Sequence, residues 1–403
     1  MPTRRRYATY ALFAVASVLV ALAATAMPRR PSPPPAPPSP PVVAVPTPPP
    51  PPSPPPVEPP PQVQKAPRVD VVFALDTTGS MDDLIEGAKR KIWNVANFIG
   101  SAQPKPELRI GLVGYRDVGD AYVTRFFDLS DDLDRVFQHL SAFRADGGGD
   151  TPEHVARALH DAVNRTSWSE GEGVVKIVYL VGDAPPHTDY DDGYNFRAIA
   201  RRAQQRGIHV NTILCGSDGD ARVAWREIAR LGGGDFSTVA QSGGMMARTS
   251  PYDDKLAELN RRLTSTAIGW GSADRRRTIS AKINFAAGAT GEAAADRAAF
   301  AGRAGLAVSG DGDLVNDLAA GKAKLHEIPR ESLPETMQAM PAPAQAAYVA
   351  EKQAERKKIV EEINSLSTKR DAYLKAAKPA KGAPSFDDEV RRSVAKDAPM
   401  LSF

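Results

Sequence analysis

Five consecutive residues, Asp76-Thr77-Thr78-Gly79-Ser80, sit where an apolar run from Arg68 to Leu75 gives way to a helical pattern that begins near Asp82. A carboxylate and two hydroxyls at alternate positions, Asp76, Thr78 and Ser80, make a compact donor set built from oxygen alone. Such a set suits a hard divalent cation, Mg²⁺ first, with Mn²⁺ or Ca²⁺ as alternatives. Two later loops carry matching chemistry. Gly147-Gly148-Gly149-Asp150 leads to the Thr151 hydroxyl, and its glycines allow a positive φ and close approach to other loops. Val181-Gly182-Asp183-Ala184-Pro185-Pro186-His187 places Asp183 at the end of a β-branched strand, where two prolines bar an immediate helix. Each piece has a plainer alternative. Ser80 with Asp83 fits a helix-start signature, Thr151 fits a cap before Pro152 in a first helical turn, and Asp183 fits a turn. His187 reads as a polar lining residue.

The elements that would position these loops alternate strand and helix from Arg68 to about Thr266. Val69–Leu75 reads as a buried strand, followed by a helix with Leu84, Ile85, Ala88, Ile92, Val95 and Ile99 on one face. Leu108–Tyr115 and Ala121–Phe127 read as an antiparallel hairpin through Asp117-Val118-Gly119-Asp120. Asp131–Ala142 reads as a helix capped by Ser130 or Asp131, and the segment from Thr151 to Arg165 as another. Val174–Val181, Ile208–Leu214 and Asp235–Val239 read as strands, with helices over Asn195–Arg206 and Ala221–Arg230. Tyr252, Leu256, Leu259 and Leu263 recur at helical spacing. The fold class expected is α/β: a doubly wound, mostly parallel, six-stranded, Rossmann-like sheet with a helical C-terminal extension. Ligands in such sheets bind beyond the carboxyl ends of the strands, where all three loops fall.

Taken together the three loops resemble the metal-ion-dependent adhesion site of the von Willebrand factor type A domain, over about residues 68–266. That motif is Asp-x-Ser-x-Ser on the first loop, Thr on the second and Asp on the third. Here those positions are Asp76, Thr78, Ser80, Thr151 and Asp183, with Thr78 keeping the hydroxyl of the first Ser and adding a methyl. The Asp-Thr-Thr-Gly-Ser-Met form is similar to that of bacterial and protist members. The resemblance implies a sheet with one antiparallel edge strand. It also implies a Mg²⁺ whose ligands are largely neutral hydroxyls, so that an Asp or Glu of a partner protein completes the coordination. Two other function classes stand beside this adhesion or scaffold module. One is a metal-dependent hydrolase using Asp183 as base and His187 as acid. Against it, the sequence has no His-Glu-x-x-His, no Gly-x-Ser-x-Gly and no phosphate-binding Gly-x-x-x-x-Gly-Lys-[Ser/Thr]. The other is a structural spacer whose C-terminal helix makes the contacts.

The rest of the 403-residue chain sets the context. A net charge of +3 argues against nucleic acid as a partner. Cys215, the single cysteine, lies in an apolar run and reads as an inert buried thiol. Arg4-Arg5-Arg6 precedes an uncharged, mostly apolar run from Tyr7 to Met27, so residues 1–30 read as a signal peptide or an N-terminal membrane anchor. Either would place the remainder outside the cytoplasm, in a bacterial cell envelope, periplasmic or extracellular. Residues 28–61 hold 21 of the 36 prolines. The 31–67 segment is therefore a proline-rich linker, either a polyproline II stalk of roughly 110 Å or a floppy tether. After the 68–266 domain, residues 267–341 form an extension without a sustained period. The 342–377 segment is a long helix whose apolar stripe (Ile359, Ile363, Leu366, Tyr373) falls short of a coiled coil, so a solvated or packed helix is expected over a dimerising one. Residues 378–403 are expected to be disordered. Asp311-Gly312-Asp313 hints at calcium but lacks EF-hand spacing, and Asp313 reads as a helix cap.

Overall fold

The structure is a computed structural model that describes residues 66–149, 151–376 and 384–403. The expected signal or anchor over 1–30, nearly all of the linker, Asp150 and the start of the tail lie outside the described residues. Among the described residues no helix is long and apolar enough to cross a membrane.

Strand β1 (Arg68–Asp76) is buried along almost its whole length. It lies at the centre of the sheet, hydrogen-bonded in parallel to β2 (Glu107–Tyr115) on one side and β4 (Val174–Gly182) on the other. That position explains its unbroken apolar run, because both faces are covered. Val69, Val71, Phe73 and Leu75 pack into one core, while Val72 and Ala74 pack into the other. The six strands follow the order β3-β2-β1-β4-β5-β6, with β3 (Thr124–Ser130) the antiparallel edge and β5 (Ile208–Cys215) and β6 (Gly233–Val239) parallel. The first face is covered by α1 (Asp82–Gly100) and α2 (Leu133–Ser141), and the second by α3 (Val155–His160), α4 (Phe196–Gln205) and α5 (Gly219–Leu231).

Three local departures from the sequence expectation have physical causes. The edge strand begins at Thr124 instead of Ala121 because Tyr122 is drawn over the first loop: its hydroxyl lies 2.7 Å from Thr77 Oγ1 and Arg116 stacks on its ring. The cap of α2 is Asp132, which accepts from the Arg135 amide, not Ser130 or Asp131. The helix expected from Thr151 starts only at Val155, capped by the His154 ring, because Glu153 is taken into a bridge with Pro186.

The extension is a helical layer continuous with the sheet domain. With α6 (Asp253–Thr264), the last helix of the 68–266 segment, it comprises α7 (Ala273–Ala287), α8 (Gly291–Ala304), α9 (Leu314–Ala319), α10 (Glu335–Gln338) and α11 (Ala342–Ala376). Helix α8 buries Ala294, Ala295, Ala298 and Ala301, so small side chains let it pack closely among α1, α6 and α11. Its buried charged positions are paired: Glu292 with Lys91 at 2.6 Å, Arg297 with Asp134 at 2.7 Å, and Asp296 with Arg370 at 2.6 Å. Asp313 caps α9, as its spacing suggested.

The expected disordered tail is a correction. Residues Phe386–Asp397 form helix α12, with a capping box between Ser385 and Asp388. Phe386, Val390 and Val394, spaced one turn apart, are buried against the first face of the sheet beside Phe73 and Tyr179. Three apolar residues among charges give a weak sequence signal, yet they complete a face that α1 and α2 leave uncovered.

Candidate metal centre

Asp76 ends β1 with its side chain fully buried. Its Oδ1 accepts from the Thr78 amide at 2.9 Å and from Thr78 Oγ1 at 2.7 Å. Its Oδ2 is buried with no hydrogen-bond partner. Burial pushes the Asp76 carboxyl up to about 7, against the opposing pull of the Thr78 bonds, and the nearby Asp183 charge adds to the rise. The Ser80 hydroxyl lies 3.4 Å from that of Thr78. It caps nothing: neither the short turn at Gly79–Met81 nor α1 carries a side-chain cap.

The second loop is fastened to the first by backbone bonds, Gly79 N to Gly147 O at 3.2 Å and Asp146 N to Thr77 O at 3.1 Å. The approach needs glycine at Gly148, which has φ +84° and sits so that a Cβ would lie 3.2 Å from Thr78 Cβ. The third loop is fastened to the second in turn: Glu153 N donates to Pro185 O, and His187 N donates to Glu153 O, each at 3.0 Å. Asp183 accepts from Gln241 Nε2 at 2.6 Å.

These ties bring all the expected site residues to one place. Thr78, Ser80, Thr151 and Asp183 line a single cleft of about 530 Å³ at the carboxyl ends of the strands, and Asp76 lies beneath it, bonded to Thr78. His187 is not among the lining residues; it faces Asp189 at 2.8 Å and stacks on Tyr190. Cys215 lies at the cleft floor, and burial raises its thiol well above the usual range, which keeps it protonated.

Three contributors escaped the sequence reading. Glu153 lines the cleft with its carboxyl raised to about 9, first by burial and then by the charges of Asp76, Asp117, Asp120 and Asp183. Its position two residues after Thr151 was a signal, obscured by the expectation of a helix there. Gln241 follows the last strand with no local mark of its role. Tyr115 ends β2 and donates its hydroxyl to Val181 O at 3.1 Å, which holds β2 and β4 at a fixed spacing under Asp76.

The donor chemistry fits a hard divalent cation. Hydroxyls outnumber carboxylates in the motif set, and a buried carboxylate oxygen without a donor is a position that a cation satisfies. No cluster of three or more His, Cys, Asp or Glu able to hold a metal occurs among the described residues.

Residues 70–250 match the family model described as von Willebrand factor A domain. Among curated proteins, the chain is 29% identical over 153 residues to an ariadne-like RING finger protein of Acanthamoeba polyphaga mimivirus, covering 37% of this chain and 13% of that protein. It is 30% identical over 125 residues to the alpha-protein kinase vwkA of Dictyostelium discoideum, covering 30% of this chain and 19% of that one. The chain thus spans less than a fifth of the length of either relative. Among solved structures, proximal thread matrix protein 1 of the mussel byssus with a zinc-occupied MIDAS motif aligns with 16% identity and a TM-score of 0.35, over 44% of this chain and 42% of that one. With a six-stranded sheet in this order and a family match over residues 70–250, this part of the chain belongs to the von Willebrand factor A domain family.

Proposed function

We propose that the protein is a protein-binding module of adhesion or scaffold type. It would hold a divalent cation, Mg²⁺ or alternatively Mn²⁺ or Ca²⁺, through Asp76, Thr78, Ser80, Thr151 and Asp183, and capture an Asp or Glu side chain of a partner protein. The observation that carries this reading is the fully buried Asp76 oxygen without a donor, beneath a cleft lined by hydroxyls. A divalent cation held there supplies an exchangeable position for a carboxylate oxygen. The chain's own groups do the positioning. Thr78 turns Asp76 by two hydrogen bonds, Gln241 holds Asp183, and the glycine loop carries Thr151 to the cleft wall.

Binding without catalysis is the favoured mode, since His187 is engaged with Asp189 and Tyr190 and does not line the cleft beside Asp183. An extracytoplasmic setting in a bacterial envelope is supported by Arg4-Arg5-Arg6, the uncharged run after it and the proline-rich segment that follows.

The test is calorimetric titration of Mg²⁺ into metal-stripped full-length protein, followed by capture of envelope proteins in Mg²⁺ and elution with a chelator. Binding and capture that disappear in Asp76→Ala support the proposal. Equal capture with and without chelator overturns it.

A further inference from the structure

We propose that the outer face of α4 and α5 is a docking surface for an anionic phospholipid bilayer. It uses no residue of the cleft and stands independently of the cation reading. Helix α4 buries Phe196, Ile199, Ala200 and Ala203, and α5 buries Ala221, Trp225, Ile228 and Leu231, all in the core on the second face of the sheet. That spacing fixes which residues point outward. Arg197 and Arg201 stand one turn apart on α4, and Arg222, Arg226 and Arg230 stand one turn apart on α5. The two helices pack side by side, and the rows meet across Glu227. The Arg197 hydrogen bond to Glu227, at 2.9 Å, holds that carboxyl below its ordinary range, and the charges of Arg230 and Arg201 add to the pull.

Past the first turn of α5, Glu227 is the sole acidic residue of either helix. Arg201, Arg222 and Arg230 take no hydrogen bond or ion pair among the described residues. Like charges at one-turn spacing oppose helix formation, and for these three no partner inside the molecule offsets that cost. Val223, 70% exposed, stands among them. An apolar side chain set in a basic helix face is the makeup of a helix that lies on a bilayer surface. The guanidinium groups meet lipid phosphates in charge-assisted hydrogen bonds, and the apolar side chain enters the headgroup boundary. An acidic protein segment would satisfy the charges alone. The exposed valine favours a surface with an apolar layer beneath its anions.

The test places an environment-sensitive fluorophore on Val223→Cys in the full-length chain. Cys215 is only 1% exposed, so the label goes to position 223. Vesicles of phosphatidylglycerol and phosphatidylcholine in equal parts should shift the probe emission to the blue. Vesicles of phosphatidylcholine alone should not, and added salt should reverse the shift. Insertion of the N-terminal segment by itself leaves this probe in water. Arg201→Gln, Arg222→Gln and Arg230→Gln, made together, should raise the lipid concentration for half-maximal signal by about fivefold for each arginine removed. Arg→Lys at the same three positions should keep most of the signal. A probe that stays in water on anionic vesicles, that responds equally to both vesicle types, or that is unaffected by the three glutamines overturns the proposal. A response to poly-glutamate and to neither vesicle makes an acidic protein the occupant and overturns the bilayer assignment. Should the glutamine variant fail to fold, the salt reversal and the contrast between the two vesicles decide the question alone.

Discussion

Gly182 stands against Asp76 with no room for a side chain: a Cβ there would lie 3.0 Å from Asp76 Oδ2 and 2.3 Å from the Tyr115 hydroxyl. The hydroxyl cannot swing aside, because the Tyr115 ring is fully buried and its Oη donates to Val181 O. Gly182→Ala is therefore expected to destabilise the fold by about 1–3 kcal/mol, the usual cost of overpacking. Adding Tyr115→Phe to the Gly182→Ala variant should recover part of that loss. Urea unfolding of the single and double variants checks it, and an unchanged midpoint in Gly182→Ala would contradict the crowding.

Asp76→Asn should separate stability from cation binding. The amide oxygen can still accept both Thr78 bonds, while the desolvated charge is removed. The metal-stripped variant is expected to melt above the native protein. Addition of Mg²⁺ should then raise only the native midpoint, by about 2.7 kcal/mol of stability at a hundredfold excess over Kd. Scanning calorimetry with and without chelator reads both effects.

Arg297 and Asp134 join α8 to α2 through a bidentate pair at 2.7 and 3.0 Å, both side chains almost completely buried. Asn260 and the Ala307 carbonyl take further guanidinium hydrogens. Asp134→Ala strands a buried cation and is expected to cost about 3–5 kcal/mol. Combining it with Arg297→Met should restore much of the stability. Denaturant titration of single and double variants measures the coupling.

Helix α12 is part of the core, so removing residues 384–403 strips Phe386, Val390 and Val394 from the sheet. Each contributes roughly 1.5–3 kcal/mol of gross burial. The truncated chain is expected to aggregate or lose near-ultraviolet circular dichroism. A C-terminal deletion is consequently no clean test of partner binding. Val390→Asp is the milder probe, and a wild-type melting curve for it would refute the packing.

Asp296 supplies a pH signature. Burial pushes its carboxyl up from 3.8 to about 6, outweighing the attraction of Arg370, with Glu292 adding repulsion. The folded state then keeps a proton that the unfolded chain has lost, so this group's contribution lowers stability as pH rises from about 4 to about 6. The difference in stability between native protein and Asp296→Asn should change across that window and level off above it. A difference that stays flat from pH 4 to pH 7 would count against the shift.

What the sequence determined was the sheet and the three loops. Apolar strands buried on both faces announce themselves as unbroken β-branched runs, and Asp76, Thr78, Ser80 and Asp183 stand at their ends, while Thr151 sits on a glycine-marked loop between α2 and α3. That Ser80 serves no cap, that Thr151 opens no helix, and that Glu153 and Gln241 join the cleft were decided by tertiary contacts. They follow from backbone bonds between loops far apart in sequence, which no local pattern encodes. The long helix α11 was legible, as was the cap of α9, but the other helices after Ile268 were not, for a different reason. Helix α8 buries alanines and ion pairs instead of a stripe of large aliphatic residues, and α12 carries three apolar residues among charges. Hydrophobic periodicity cannot register partners such as Arg370 with Asp296 or Phe386 with Phe73, whose contact exists only once the sheet has formed.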